Sequence, residues 1–356
     1  MTKRIISVFI TFCMLLTFAS CKNPTEEESD VSTTRSSGTA GATEASNTSQ
    51  TSEPSASVSP TDTSETTCEP VPTVTETVPE TVAATVITVA PTEVFQGEYL
   101  TVFISNSGES DKIEYDTKLA ANWMIKTIPH EGGFLALIPI EWDKAPADYN
   151  LGIKVTRDGE TAAETSEMVK VSKKDFEKHY IVVSEELAAT RSDENFAKDG
   201  VYTSRARSAT SSEPLWEGSF ILPVEGARIT CDYGLIRYVN NVVVGRHSGL
   251  DVSIAAGAPV MASNGGRVTL AMELIVTGNT IIIDHGMNIF TAYCHLSKMF
   301  VEQGDIVAKY DVIGEVGSTG FSTGPHLHWT FTIGETFVNP WLFMDKDPLD
   351  WLAPTE

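Results

Sequence analysis

The stretch "TGPHLHWTFTIG", residues 323–334, closes a run of short apolar segments cut by glycine and asparagine. Read as a strand, it alternates its side chains, so His326 and His328 point to one face. The segments before it have the same character. "GRVTLAM", "NTIIIDHG", "IFTAYCHLS", "DIVAK" and "VIGEVG" are strand-like runs separated by turn residues. From about Leu215 onward an all-β domain is therefore expected, with few or no helices until its end.

The histidines gather in that region. Five of the seven are His247, His285, His295, His326 and His328. In "GRHSGLDVSI", His247 and Asp251 are four residues apart. In an extended run they share a face, while Leu250, Val252 and Ile254 turn to the other and can bury. Imidazole nitrogen and carboxylate oxygen are both good zinc ligands. One of the histidines of "HLH" would complete a His-Asp-His set. A catalytic zinc keeps three protein ligands and an open position, so one of His326 and His328 should then stay off the metal and be free for proton transfer. His295, at the end of an alternating strand, is a candidate base or oxyanion stabiliser. His285 closes an apolar strand before a glycine turn and suits a structural role. His130 and His179 carry no functional expectation.

The rest of the chain frames this domain. Its 356 residues predict two or three domains, and the net charge of −23 argues against nucleic-acid binding. Lys3 and Arg4 precede the apolar run "IISVFITFCMLLTF", too short for a comfortable membrane span, so residues 1–20 read as an export signal. Ala19-Ser20 before Cys21 is similar to a bacterial lipobox, which implies a lipid on Cys21 and an extracytoplasmic protein anchored to the membrane. Residues 21–81 are rich in Ser, Thr, Glu and Pro and nearly free of large apolar residues, the composition of a disordered tether.

Residues 82–173 change to short alternating runs such as "GEYLTVFISN" and "ADYNLGIKVTR", with turns at Gly97, Asn106-Ser107-Gly108 and Gly132-Gly133. They predict a small β-sandwich-like domain, and "PADYNLGIKV" resembles a late strand of bacterial immunoglobulin-like modules. Residues 174–214 form a connector of mixed helical character, with Ser184 a helix N-cap and Glu185 and Glu186 in the first turn; no chemistry is visible in it. Residues 347–356 form a C-terminal tail. Of the five cysteines, Cys68, Cys231 and Cys294 lie beyond the signal and anchor. A Cys231–Cys294 bridge is an open pairing that spacing alone does not decide.

Taken in order, "HSGLDVSIAAGAPVMASNGGRV", "TGNTIIIDHGMNIFTAYCHLS" and "GDIVAKYDVIGEVGSTGFSTGPHLHW" resemble the lysostaphin/LytM-type zinc metallo-endopeptidases, which cut peptide bonds in bacterial peptidoglycan. The resemblance covers about residues 216–345. It implies an antiparallel β domain, residues 215–346, with a zinc groove and one Zn²⁺. It further implies His247, Asp251 and His328 as zinc ligands, His295 and His326 as catalytic histidines, and peptidoglycan as the partner. Cys294, Cys231 and Tyr310 depart from the residues common at their positions, and none is among the five. Two other classes fit the same stretch: a non-catalytic regulator of a cell-wall amidase, and an envelope protease acting on proteins.

Overall fold

A computed structural model describes residues 83–350. The export signal, Cys21, Cys68 and the tether lie outside the described residues, as does the end of the C-terminal tail. Among those described, strands predominate and helices are few.

The N-terminal part is two four-stranded sheets. One runs Val86–Ala90, Tyr99–Ser105, Gly133–Pro139, Thr127–His130, and the other Glu93–Phe95, Glu160–Ser172, Ala147–Arg157, Lys112–Thr117. Alternation decides what they bury. Leu100, Val102 and Ile104 from the first sheet meet Leu151, Ile153 and Val155 from the second in one apolar core. The other face of the first sheet is covered in part. Tyr99, Leu135 and Leu137 join the core of the C-terminal domain, together with Trp216, Phe331 and Phe343. Tyr99 stacks on Phe343 with ring centroids 5.4 Å apart, and Trp142 stacks on Phe337 at 6.0 Å. The Asn339 amide donates to the Gly97 carbonyl at 2.8 Å. One core therefore runs from the sandwich into the C-terminal domain.

The C-terminal domain is built on an antiparallel sheet. Its strands lie in the order Arg228–Cys231, Leu250–Ser253, His326–Ile333, Ile289–Leu296, Gly278–Asp284, Gly266–Leu274 and Ile306–Val307, with Thr336–Val338 also paired to His326–Ile333. Leu327, Trp329, Phe331 and Ile333 alternate into the core. A short helix, Trp341–Asp345, follows the last strand.

The connector contributes structure of its own. Lys178–Ile181 pairs in parallel with Ile236–Val239. Helix α1 (Glu185–Thr190) starts at Ser184, whose hydroxyl accepts from the Leu187 amide at 3.2 Å. Helix α2 (Asp193–Arg207) starts at Ser192 in the same way. Asp199 in α2 is buried, and its carboxylate accepts from the Ile275 and Val276 amides at 2.9 and 2.7 Å. Ala206 packs with Leu270, Ile282, Phe290, Ala292 and Cys294. Helix α2 thus covers the sheet face opposite the main core. All eight residues of Ile289–Leu296 are buried, so the expected alternation before His295 is absent. The cause is a second apolar cover that is invisible from that segment alone.

The candidate Cys231–Cys294 bridge does not form: both cysteines are free and buried. Burial pushes their thiols up, to about 11 for Cys231 and about 12 for Cys294, so both stay protonated and poorly reactive.

Candidate metal centre

Two strand pairings bring the site together. Leu250–Ser253 aligns Asp251 beside His328, and Ile289–Leu296 aligns Cys294 with the same histidine. His247 and Asp251 do not share one extended run as the sequence suggested. The Val242–Arg246 strand stops before His247, and Leu250 begins a new one. The bend returns the imidazole over the sheet. His247 Nε2 lies 2.8 Å from Asp251 Oδ1, His328 Nδ1 lies 2.8 Å from the same oxygen, and the two nitrogens are 3.0 Å apart. All three residues are buried.

The remaining contacts identify what these atoms are. His247 Nδ1 donates to the Asp232 carbonyl at 2.8 Å, so that in the neutral ring Nε2 is a bare lone pair. Arg237 Nη2 donates to Asp251 Oδ2 at 2.9 Å, leaving Oδ1 to the centre. Ser248 Oγ, 3.1 Å from His328 Nε2, takes that N–H when Nδ1 is bare. Three acceptors then converge on one point, an arrangement a cation satisfies. Two nitrogens and an oxygen, each oriented by an outer hydrogen bond, form a zinc-type donor set. Burial opposes the Asp251 charge, but the His247 and His328 contacts outweigh it and hold the carboxyl well below its usual range. Burial is also the main cause that lowers His328 to about 4, which keeps it neutral as a ligand must be.

His295 and His326 flank this cluster without joining it. Their ring centroids are 4.8 Å apart, and the His295 ring is 6.0 Å from that of His328. His326 Nε2 is 3.8 Å from Asp251 Oδ1. Each imidazole fixes its tautomer on the backbone. His295 Nδ1 donates to the Thr319 carbonyl and His326 Nδ1 to the Gly324 carbonyl, both at 2.8 Å. In the neutral rings each Nε2 is then bare. Burial, with the neighbouring His326 and His328, lowers His295 to about 3. His295 also holds a left-handed backbone, φ 62°, rare for a residue with a side chain. Gly320, φ 70°, lets the following loop come close: a Cβ there would overlap the Gly278 backbone, and the approach carries the Thr319 carbonyl to His295.

His285 lies elsewhere. Fully buried, it donates from Nδ1 to the Gly265 carbonyl at 2.6 Å and contacts Thr291 Oγ1 through Nε2 at 2.7 Å, a structural role.

A cleft of about 390 Å³ lies beside the cluster, lined by Asp251, His295, His326, Arg237, His179 and Ile181 among others. A smaller space of about 80 Å³ over His247 and His328 is walled by Arg191 and Phe196. The connector, in which no chemistry was legible, thus supplies walls of the site through His179, Ile181, Arg191 and Phe196. Arg237 was also missed. Its only sequence signal is a lone cation between strand-like residues.

Residues 245–340 match the description Peptidase family M23. The chain is similar to the peptidoglycan DD-endopeptidase ShyA of Vibrio cholerae, 38% identical over 96 residues, which cover 27% of this chain and 22% of that protein. It is similar to the DD-carboxypeptidase/endopeptidase Mpg of Neisseria meningitidis, 43% identical over 94 residues, covering 26% of this chain and 22% of the relative. Among solved structures, the catalytic domain of lysostaphin from Staphylococcus simulans is 32% identical and covers 33% of this chain and 92% of that one, with a TM-score of 0.31. The matched stretch thus spans less than a quarter of the length of these two curated relatives.

Proposed function

We propose that this chain, which carries a peptidase family M23 domain over residues 245–340, is a zinc metallo-endopeptidase that hydrolyses peptide cross-links or stem peptides of bacterial peptidoglycan. The observation that carries the reading is the convergence of His247 Nε2, Asp251 Oδ1 and His328 Nδ1, with two further imidazoles beside them. The names of the similar proteins, peptidoglycan endopeptidases among them, support the substrate class.

His247, Asp251 and His328 would hold a zinc ion, which would supply Lewis-acid chemistry for the scissile carbonyl and for water. The protein's own groups do the rest. Arg237 and the Asp232 carbonyl hold the ligands in orientation. The bare Nε2 of His295 or His326 takes the proton of the attacking water. The N–H so formed donates to the oxygen that gains charge, and then passes the proton to the departing amine. The low proton affinity of His295 keeps it in the accepting form at neutral pH.

The chain is divided into an export signal (1–20), a tether (21–81), a β module (82–173), a connector (174–214), the peptidase domain (215–346) and a tail. It is anchored outside the cytoplasm through lipid on Cys21, a reading supported by Ala19-Ser20 before that cysteine after an apolar run. Replacing His295 or His326 with alanine and assaying muropeptide release tests the chemistry; full release by both variants overturns it. Replacing Cys21 with alanine tests the anchor, which fails if the protein still partitions with membranes.

A further inference from the structure

Arg207 ends helix α2. Among the described residues its guanidinium has no hydrogen-bonding partner and no ion pair, and its Nε is sealed from solvent. Glu335 lies near enough to favour the charge without touching it. The Phe337 ring is centred 5.8 Å from Cζ. Burial lowers the group only to about 10, so it stays charged at neutral pH. Arg207 as a whole is only partly buried, but its sealed Nε–H is a donor left unmet, which is costly.

The surface beneath it is also unsatisfied. The strand His326–Ile333 turns His326, His328, Thr330 and Thr332 to one face, since their neighbours fill the core. The Thr330 and Thr332 hydroxyls are buried without a partner. Between α2 and this face lies a cavity of about 330 Å³, walled by Arg207, Thr330, Cys294, Ser248 and His328 among others. One partly open space is therefore bordered by an unpaired cation and an orphaned hydroxyl and reaches a residue of the metal cluster; Glu335 and Asp199 also line it, the latter with its carboxylate already spent on the Ile275 and Val276 amides. Part of its wall is apolar, with Ile282 and Ala292, which strengthens charge interactions along it. An acceptor-only, negatively charged group meets the demands of Arg207 and Thr330, and a carboxylate suits the planar fork of arginine.

We infer that the cavity between α2 and the His326–Ile333 strand binds a free carboxylate of the peptide substrate, with Arg207 as its ligand. This rests on the peptidase reading and names its substrate class: peptides carrying a free carboxylate near the scissile bond. The connector then belongs to the substrate site rather than serving only as a link.

The test uses the full chain and two synthetic stem-type peptides, one ending in a carboxylate and one in a carboxamide. Binding is measured by calorimetry on the chelator-treated protein, and cleavage on the zinc-loaded protein. The carboxylate peptide should bind about 10- to 100-fold more tightly than the amide. Arg207→Met should erase the difference by weakening the acid and leaving the amide unchanged, and Arg207→Lys should retain part of it. Equal binding of acid and amide to the wild-type chain overturns the inference even if no variant folds. So does an Arg207→Met variant that speeds cleavage of both peptides alike, the behaviour of a latch. Discriminating binding with no cleavage of either peptide by the wild-type chain leaves the subsite standing and removes the peptidase reading. Cleavage without discrimination does the reverse.

Discussion

His326 and His328 stand two residues apart on one strand face, yet only His328 Nδ1 reaches Asp251 Oδ1 at 2.8 Å, while His326 Nε2 stops at 3.8 Å. The difference follows from the backbone. Gly324 and Ser322 draw His326 Nδ1 back towards the loop, at 2.8 and 3.3 Å, whereas Ser248 holds the far side of His328.

That asymmetry sets the first prediction. His328→Ala removes one of three ligands and should strip the zinc from the purified chain, as read by metal analysis. His326→Ala should keep the zinc and lower turnover about 10²- to 10⁴-fold, the usual worth of a positioned acid or base. Zinc retained in the first variant, or lost in the second, contradicts the assignment.

Arg237 touches the outer oxygen of Asp251 and, among the described residues, no other acidic group within bonding distance. Arg237→Met should weaken zinc affinity about 10- to 100-fold in a chelator competition, because the carboxylate loses the partner that orients it. An unchanged affinity means that Arg237 does not position the ligand.

Helix α2 is tied to the sheet by the Asp199 carboxylate on the Ile275 and Val276 amides. Asp199→Ala leaves two amides unmet, that of Val276 buried, and should cost about 1–3 kcal/mol in denaturant unfolding. Hydrogen exchange should accelerate first in residues 193–207. Uniform loss of protection across the sheet would contradict a local tether.

His285 provides a pH signature away from the metal cluster. Burial depresses it from 6.5 to about 4 in the native protein. Between those values the unfolded chain binds a proton that the native chain refuses, so stability falls as pH drops through this window and levels off below about 4. The contribution is roughly 3 kcal/mol. Unfolding free energies at pH 7 and pH 4 should differ less in His285→Gln than in the wild-type chain, and equal differences refute the assignment.

The strand character of the C-terminal domain was legible because glycine and asparagine cut apolar runs that hydrogen bonding makes into neighbours. The gathering of His247, Asp251, His295, His326 and His328 was legible from their clustering and their order. Less could be read of how they meet. The His247 bend breaks the extended run assumed for it, and the tautomers of His295 and His326 rest on the carbonyls of Thr319 and Gly324, which no side chain advertises. The role of the connector was hidden for a different reason. α2 carries Asp199 and Arg207 inward among polar neighbours, so its sequence lacks the apolar stripe that usually marks a packed helix.

Tyr99 on Phe343 and Trp142 on Phe337 have a practical corollary for anyone dissecting the chain. A fragment cut to begin at residue 215 would bare these two phenylalanines, and removing α2 as well would unroof the second sheet face. Such a piece is prone to stick to itself, and its loss of activity would say little about chemistry. Dissection should therefore start ahead of the first sandwich strand, at or before residue 83, so that the sandwich and the sheet are kept as one solid.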